Sequence, residues 1–83
     1  MANTKKTSQI VEIVTAGGGV IVDAKGKPTR QLLEIASAAS QSASLVILQN
    51  IGEKPTSQLA ELARAANGHV VFDLTPRDAS SAI

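Results

Sequence analysis

Eighty-three residues make one domain at most, and a chain this short buries only about 60 to 65% of its unfolded surface, so its core has little margin. It has no cysteine to supply a disulfide or a thiolate metal site, and one Phe with no Tyr or Trp leaves Ile, Val, Leu and Ala to make nearly all the apolar contact. A net charge of +1, from eight basic and seven acidic residues, is no electrostatic footprint for nucleic acid. The longest apolar runs, such as Leu45 to Leu48, are far too short for a membrane span.

The first element begins at Thr7, in Thr-Ser-Gln-Ile-Val-Glu-Ile-Val. Ile10, Ile13, Val14 and Gly17 are spaced i, i+3, i+4, i+7 and predict one apolar stripe on a helix. Gly17-Gly18-Gly19 stops it, and Val20-Ile21-Val22 follows as a short β-branched run that predicts a strand. The same phrase returns as Thr29-Arg-Gln-Leu-Leu-Glu-Ile-Ala, with Leu32, Ile35, Ala36 and Ala39 on the stripe, then Val46-Ile47-Leu48. The extra length in this copy lies in 40–44, which extends the helix or its exit loop. A third copy, Thr56-Ser-Gln-Leu-Ala-Glu-Leu-Ala, carries Leu59, Leu62, Ala63 and Ala66, stops at Asn67-Gly68 and ends in Val70-Val71-Phe72. Unequal spacing in loops with equal spacing inside elements is what a repeat array tolerates.

Smaller signals repeat with the helices. Thr7, Thr29 and Thr56 stand where helix N-caps are expected, each with a side-chain oxygen for a free backbone N–H. Pro28 and Pro55 keep the chain extended before two of them. Glu12, Glu34 and Glu61 fall on the polar face as solvated surface. Each strand exits through a polar and then an apolar residue: Asp23-Ala24, Asn50-Ile51 and Asp73-Leu74. The row Asp23, Asn50, Asp73 predicts a polar ladder at the strand exits. Its first reading is side chains capping local backbone, with a ligand row as the functional alternative.

Consecutive apolar residues in the strands, each joined to the next by a helix, predict a parallel sheet with right-handed crossovers. The fold class is α/β. Strands paired in sequence order put all three helices on one face of a short sheet. The order 2-1-3 would instead give a small doubly wound fold. The near-identity of the three helix stripes favours the first. The expected organisation is a tail over 1–6, one αβ repeat domain over 7–74 with units 7–26, 27–51 and 54–74, and 75–83 as a tail or the start of a truncated fourth repeat.

With its short strand, polar exit and helix at a period in the twenties, the unit resembles a short βα-solenoid repeat, similar in plan to leucine-rich repeats. β-Branched residues replace that family's spaced leucines, and Asp stands at two of the three Asn-like positions. The resemblance therefore implies a stacking principle and a role in protein–protein contact, and it carries over no site residues.

Motifs for chemistry are weak. The three glycines leave a helix and enter a strand, the reverse of a phosphate loop. Lys25-Gly26-Lys27-Pro28-Thr29 lies between strand and helix but lacks the first glycine of that motif and interrupts its Lys–Thr pair. His69 has no spaced metal ligand and no adjacent nucleophile. The Ser-rich stretches 37–44 and 80–81 read as close packing or linker. The expectation is no enzyme, no catalytic residue, no cofactor, no metal, and no nucleic-acid or membrane partner. Lys5 and Lys6 precede no apolar signal region, so the chain is expected in the cytoplasm, or exported by a route with no visible signal.

The ends of the repeat shape the functional expectation. Helix 1 has no strand before it, strand 3 has no full helix after it, and stacked units normally need polar caps. Ile10, Ile13 and Val14 at one end, and Val70, Val71 and Phe72 at the other, are the expected self-association residues. The leading expectation is a self-assembling structural protein, a homo-oligomer stacking head to tail into a filament or ring. The alternative is a small adaptor that binds another protein through the strand face or the strand-exit row. A ligand- or nucleotide-binding domain ranks third.

Overall fold

A computed structural model of the chain describes residues 6–75. The expected tail before Lys6 and the stretch after Thr75 lie outside the described residues. Six elements alternate: α1 (Thr7–Thr15), β1 (Val20–Asp23), α2 (Thr29–Ser42), β2 (Val46–Gln49), α3 (Thr56–Ala66) and β3 (Val70–Phe72). The strands form one parallel sheet in the order β1-β2-β3, with Val20 opposite Val46 and Val46 opposite Val70. Helices α1 and α2 pack together, as do α2 and α3. Strands in sequence order with crossovers of one hand leave all three helices on one side. The fold is therefore the three-unit α/β arrangement, and the 2-1-3 alternative is excluded.

The core lies between the helix layer and one face of the sheet. Side chains alternate across a strand, so Val22, Val46 and Leu48 turn inward and are buried, while Ile21, Ile47 and Val71 turn outward in one lateral row. From the helices come Ile10, Val14, Leu32, Ile35 and Leu62, all buried. Ala24 and Ile51 close the core past the first two strands, both buried, whereas Leu74 at the same place after β3 is exposed. The extra length of the second unit goes into α2, which runs 14 residues against 9 for α1.

Helix ends follow from backbone chemistry. After α1 the chain turns at Gly17, φ +100°, and the Gly18 N–H bonds back to the Ile13 carbonyl at 3.0 Å. A Cβ at Gly18 would lie 3.0 Å from the Ile13 side chain and 3.2 Å from its carbonyl oxygen, so the tight exit needs glycine there. Helix α3 ends at Asn67, φ +51°, followed by Gly68 at +90°. Helix α2 ends differently, on Ala43 at φ +57°. A left-handed residue with a Cβ costs roughly 1–2 kcal/mol. Ala43→Gly is expected to raise stability by about 0.5–1 kcal/mol, even after glycine's greater loss of chain entropy. Urea denaturation followed by circular dichroism checks this, and a lower midpoint in the variant would contradict it. Among the described residues, no helix is long and apolar enough to cross a membrane.

Candidate functional site

The three threonines expected as N-caps do not cap. The residues with extended backbone before each helix are Lys6 (ψ 154°), Pro28 (ψ 150°) and Pro55 (ψ 146°), and none makes a side-chain capping bond. Thr7, Thr29 and Thr56 are each the first helical residue. A capping oxygen must come from the residue before the first turn, and in two units that residue is proline, which has none to offer. The carbonyls of Lys6, Pro28 and Pro55 instead receive the first helical N–H groups, at 2.9–3.2 Å in all three units.

The threonine hydroxyls are used sideways. Thr7 Oγ1 donates to Gln31 Oε1 at 2.8 Å, and Thr29 Oγ1 donates to Gln58 Oε1 at 2.7 Å. The first residue of one helix thus holds the third residue of the next. Lys27 Nζ adds a 3.4 Å bond to Thr7 Oγ1, tying the Lys25-Gly26-Lys27 loop to the start of α1. Sequence reasoning noticed the threonines and missed the glutamines, although Thr-x-Gln stands in every copy: Gln9, Gln31 and Gln58. In unit 1 the Lys6 N–H bonds to Gln9 Oε1 at 3.1 Å. Pro28 and Pro55 carry no N–H, so Gln31 and Gln58 keep that oxygen for the neighbouring threonine.

The strand-exit row is also corrected in its alignment. Asp23 pairs in register with Gln49, so Asn50 stands one residue further on. Asn50 takes a left-handed backbone, φ +57°, which asparagine tolerates. Its Nδ2 reaches back to Asp23 Oδ1 at 2.8 Å. Asp23 Oδ1 also accepts the Lys25 N–H, and Asp73 Oδ1 accepts the Thr75 N–H, both at 3.0 Å. These are local turns that fasten the strand exits. Asn50, Asp73, Lys25, Glu53 and Thr75 line a pocket of about 340 Å³ together with Gly52 and Leu74.

The six expected self-association residues separate into three groups. Ile10 and Val14 are buried within the chain's own core, because α2 already covers that side of α1. Ile13 is 40% exposed, and Val70 and Phe72 are half-buried at the edge of the sheet. Val71 is 45% exposed but faces away from the helices, in the outer row with Ile21, 64% exposed.

Equivalent positions reveal which neighbour covers what. Ile13, Ile35 and Leu62 occupy one stripe position. The second and third are fully buried and only the first is open, so this position is covered by the preceding unit. Val14, Ala36 and Ala63 occupy the next position. Here the first two are buried and Ala63 is exposed, so it is covered by the following unit. Leu32 and Leu59 show the same polarity, as do Leu48 and Phe72: buried in unit 2 and half-buried in unit 3. At the α1 edge the position that a preceding unit covers elsewhere is open, and at the α3 edge the positions that a following unit covers elsewhere are open.

His69 is half-buried before β3, and its backbone joins the sheet by accepting the Val46 N–H at 3.0 Å. Among the described residues, no group of three or more His, Cys, Asp or Glu could hold a metal ion. Comparison with protein-family models, curated proteins and solved structures finds no match.

Proposed function

We propose that the protein is a self-assembling structural protein whose copies stack head to tail, the unit-3 edge of one against the unit-1 edge of the next. The observation that carries this is the polarity of burial: Ile13 is 40% exposed while Ile35 and Leu62, at the same position of the next two units, are fully buried. A preceding unit covers that position twice within the chain, and a second copy offers the same cover to Ile13. The opposite edge presents what such a cover is made of: Leu59, Ala63, Val70 and Phe72. Among the described residues the outer edges of β1 and β3 have no paired strand, and such an edge readily takes another strand. The contact is heterologous, so it propagates into a filament unless the rotation per copy closes a ring.

Mass in solution tests the proposal. Light scattering and negative-stain microscopy of the full chain at rising concentration are expected to show growing particles. Ile13→Asp should leave discrete monomers with unchanged circular dichroism, since Ile13 lies at the surface of a single chain. A wild type that stays monomeric at millimolar concentration would overturn the proposal.

A second reading has its own observation. Ile21, Ile47 and Val71 form an outward row in register, with Leu45 beside them 48% exposed. An apolar strip on a sheet face that no described element covers suits an adaptor that binds another protein. It predicts that Ile21→Lys and Val71→Lys abolish binding without changing the particle mass, the reverse of the outcome for Ile13→Asp.

A further inference from the structure

Within the chain, two features connect each unit to the next. The first is the Thr-to-Gln bond, formed by Thr7 with Gln31 and by Thr29 with Gln58. The second is a fixed parallel register, Val20–Val46–Val70, Ile21–Ile47–Val71 and Val22–Leu48–Phe72. The backbone repeats with it: the Val20 N–H bonds to the Leu45 carbonyl at 3.1 Å, and the Val46 N–H bonds to the His69 carbonyl at 3.0 Å. Among the described residues both features leave one open half at each edge. Thr56 is exposed, and its hydroxyl has no hydrogen-bond partner among the described residues. Gln9 is exposed at the other edge, and its Oε1 accepts only the Lys6 N–H there. A carbonyl oxygen has two lone pairs, so Gln9 retains one for a further donor.

We infer that the interface between copies is a third rung of the same ladder: Thr56 Oγ1 of one copy donates to Gln9 of the next, and β3 pairs in parallel with the next copy's β1, Val70 opposite Val20, Val71 opposite Ile21 and Phe72 opposite Val22. This rests on the head-to-tail proposal and adds the register and the specificity. An apolar edge alone would tolerate slippage, since Val, Ile and Phe pack with little directional preference. A hydroxyl–amide bond at the helix start and a strand register at the core admit one alignment of the two copies. Lys6 is the departure at this rung. Its N–H takes part of the capacity of Gln9, where the internal rungs have proline. The rung between copies is accordingly weaker than those inside the chain, which leaves assembly reversible and dependent on concentration.

The chain has no cysteine, so introduced thiols report position cleanly. Ile21→Cys and Val71→Cys both alter exposed outward residues that should leave the fold intact. Equal amounts of the two full-length variants, mixed where the wild type assembles and treated with a short thiol-to-thiol cross-linker, are expected to give a covalent dimer. The variant with both changes should give a series of multimers, and each single variant alone should give none. Cross-linking of Val71→Cys with itself would mean that β3 meets β3, which overturns the inferred junction. No cross-link in the mixture would overturn the register, while assembly of the mixed variants, read by light scattering in the same tubes, would leave the head-to-tail proposal standing. Thr56→Val, which keeps the shape and removes the donor, should raise the concentration for half-assembly about three- to tenfold, the effect of one hydrogen bond. Lys6→Pro should lower it. An unchanged value in Thr56→Val would remove the hydroxyl from the junction.

Discussion

Leu48→Ala is expected to cost about 2–5 kcal/mol, the range for removing a fully buried leucine side chain. Leu48 sits at the centre of the molecule. It lies on the middle strand, between Val22 and Phe72 in register, and only 1% of it is exposed. Its inward side chain meets the helix layer, where Leu32, Ile35 and Leu62 are equally inaccessible. A cavity there has strands on both sides that cannot collapse into it without breaking the ladder. For a chain of this size total stability is on the order of 4–12 kcal/mol, so one such loss removes a large part of it. Ile21→Ala on the outer face of the neighbouring strand should cost well under 1 kcal/mol, because little of that side chain leaves water on folding. Urea denaturation of both variants, at a concentration below any assembly, checks the contrast. Equal midpoints for the two would mean that the core does not lie between the helices and the inner sheet face.

Much of this architecture was legible because burial imposes a period. Three stripes at i, i+3, i+4, i+7 mark helices that each bury one side, and their likeness pointed to helices in equivalent surroundings, which strand order β1-β2-β3 supplies. What a period does not show is which neighbour covers a residue. Ile13 and Val14 are adjacent on the stripe and both look like core. One lies on the side that a preceding unit covers for Ile35 and Leu62, and it is open; the other lies on the side that the following unit covers, and it is closed. The threonines misled because Thr before an apolar run is a common N-cap, and its distinction from a first helical residue is a matter of one position. The invariant Gln two residues on was the signal for a lateral partner, but a hydrogen bond between residues 24 or 29 apart leaves no local trace. Asn50 misled for a similar reason. Its likeness to Asp23 is chemical, whereas strand register is set by backbone pairing, and that aligns Asp23 with Gln49.

The serines at the end of α2, which read as close packing or linker, should prove to be a polar tie, and replacing both Ser42 and Ser44 by alanine is expected to cost about 1–3 kcal/mol. Ser44 is the one buried polar residue among those described, 4% exposed. Its Oγ lies 2.8 Å from the Val14 carbonyl, and Ser42 Oγ lies 2.7 Å from that same oxygen, 2.7 Å from the Ala38 carbonyl and 3.0 Å from Ser44 Oγ. Each hydroxyl has one proton, so the two protons are shared over these acceptors, one hydroxyl accepting when the other donates along the chain. Val14 is in the last turn of α1, where carbonyls lack helical partners. The pair therefore fastens the end of α1 to the end of α2, and it does so where the short first helix has few other polar ties. The double variant keeps the Gly17 N–H on the Val14 carbonyl, at 2.9 Å, so the loss should be graded rather than complete. Either single variant leaves one hydroxyl to serve Val14 and should cost about 0.5–1.5 kcal/mol. Amide hydrogen exchange adds a local reading, because losing both hydroxyls should expose the backbone of α1 before that of α3. Uniform loss of protection across the three helices would show instead that the serines support the fold as a whole and do not act as a clasp on α1.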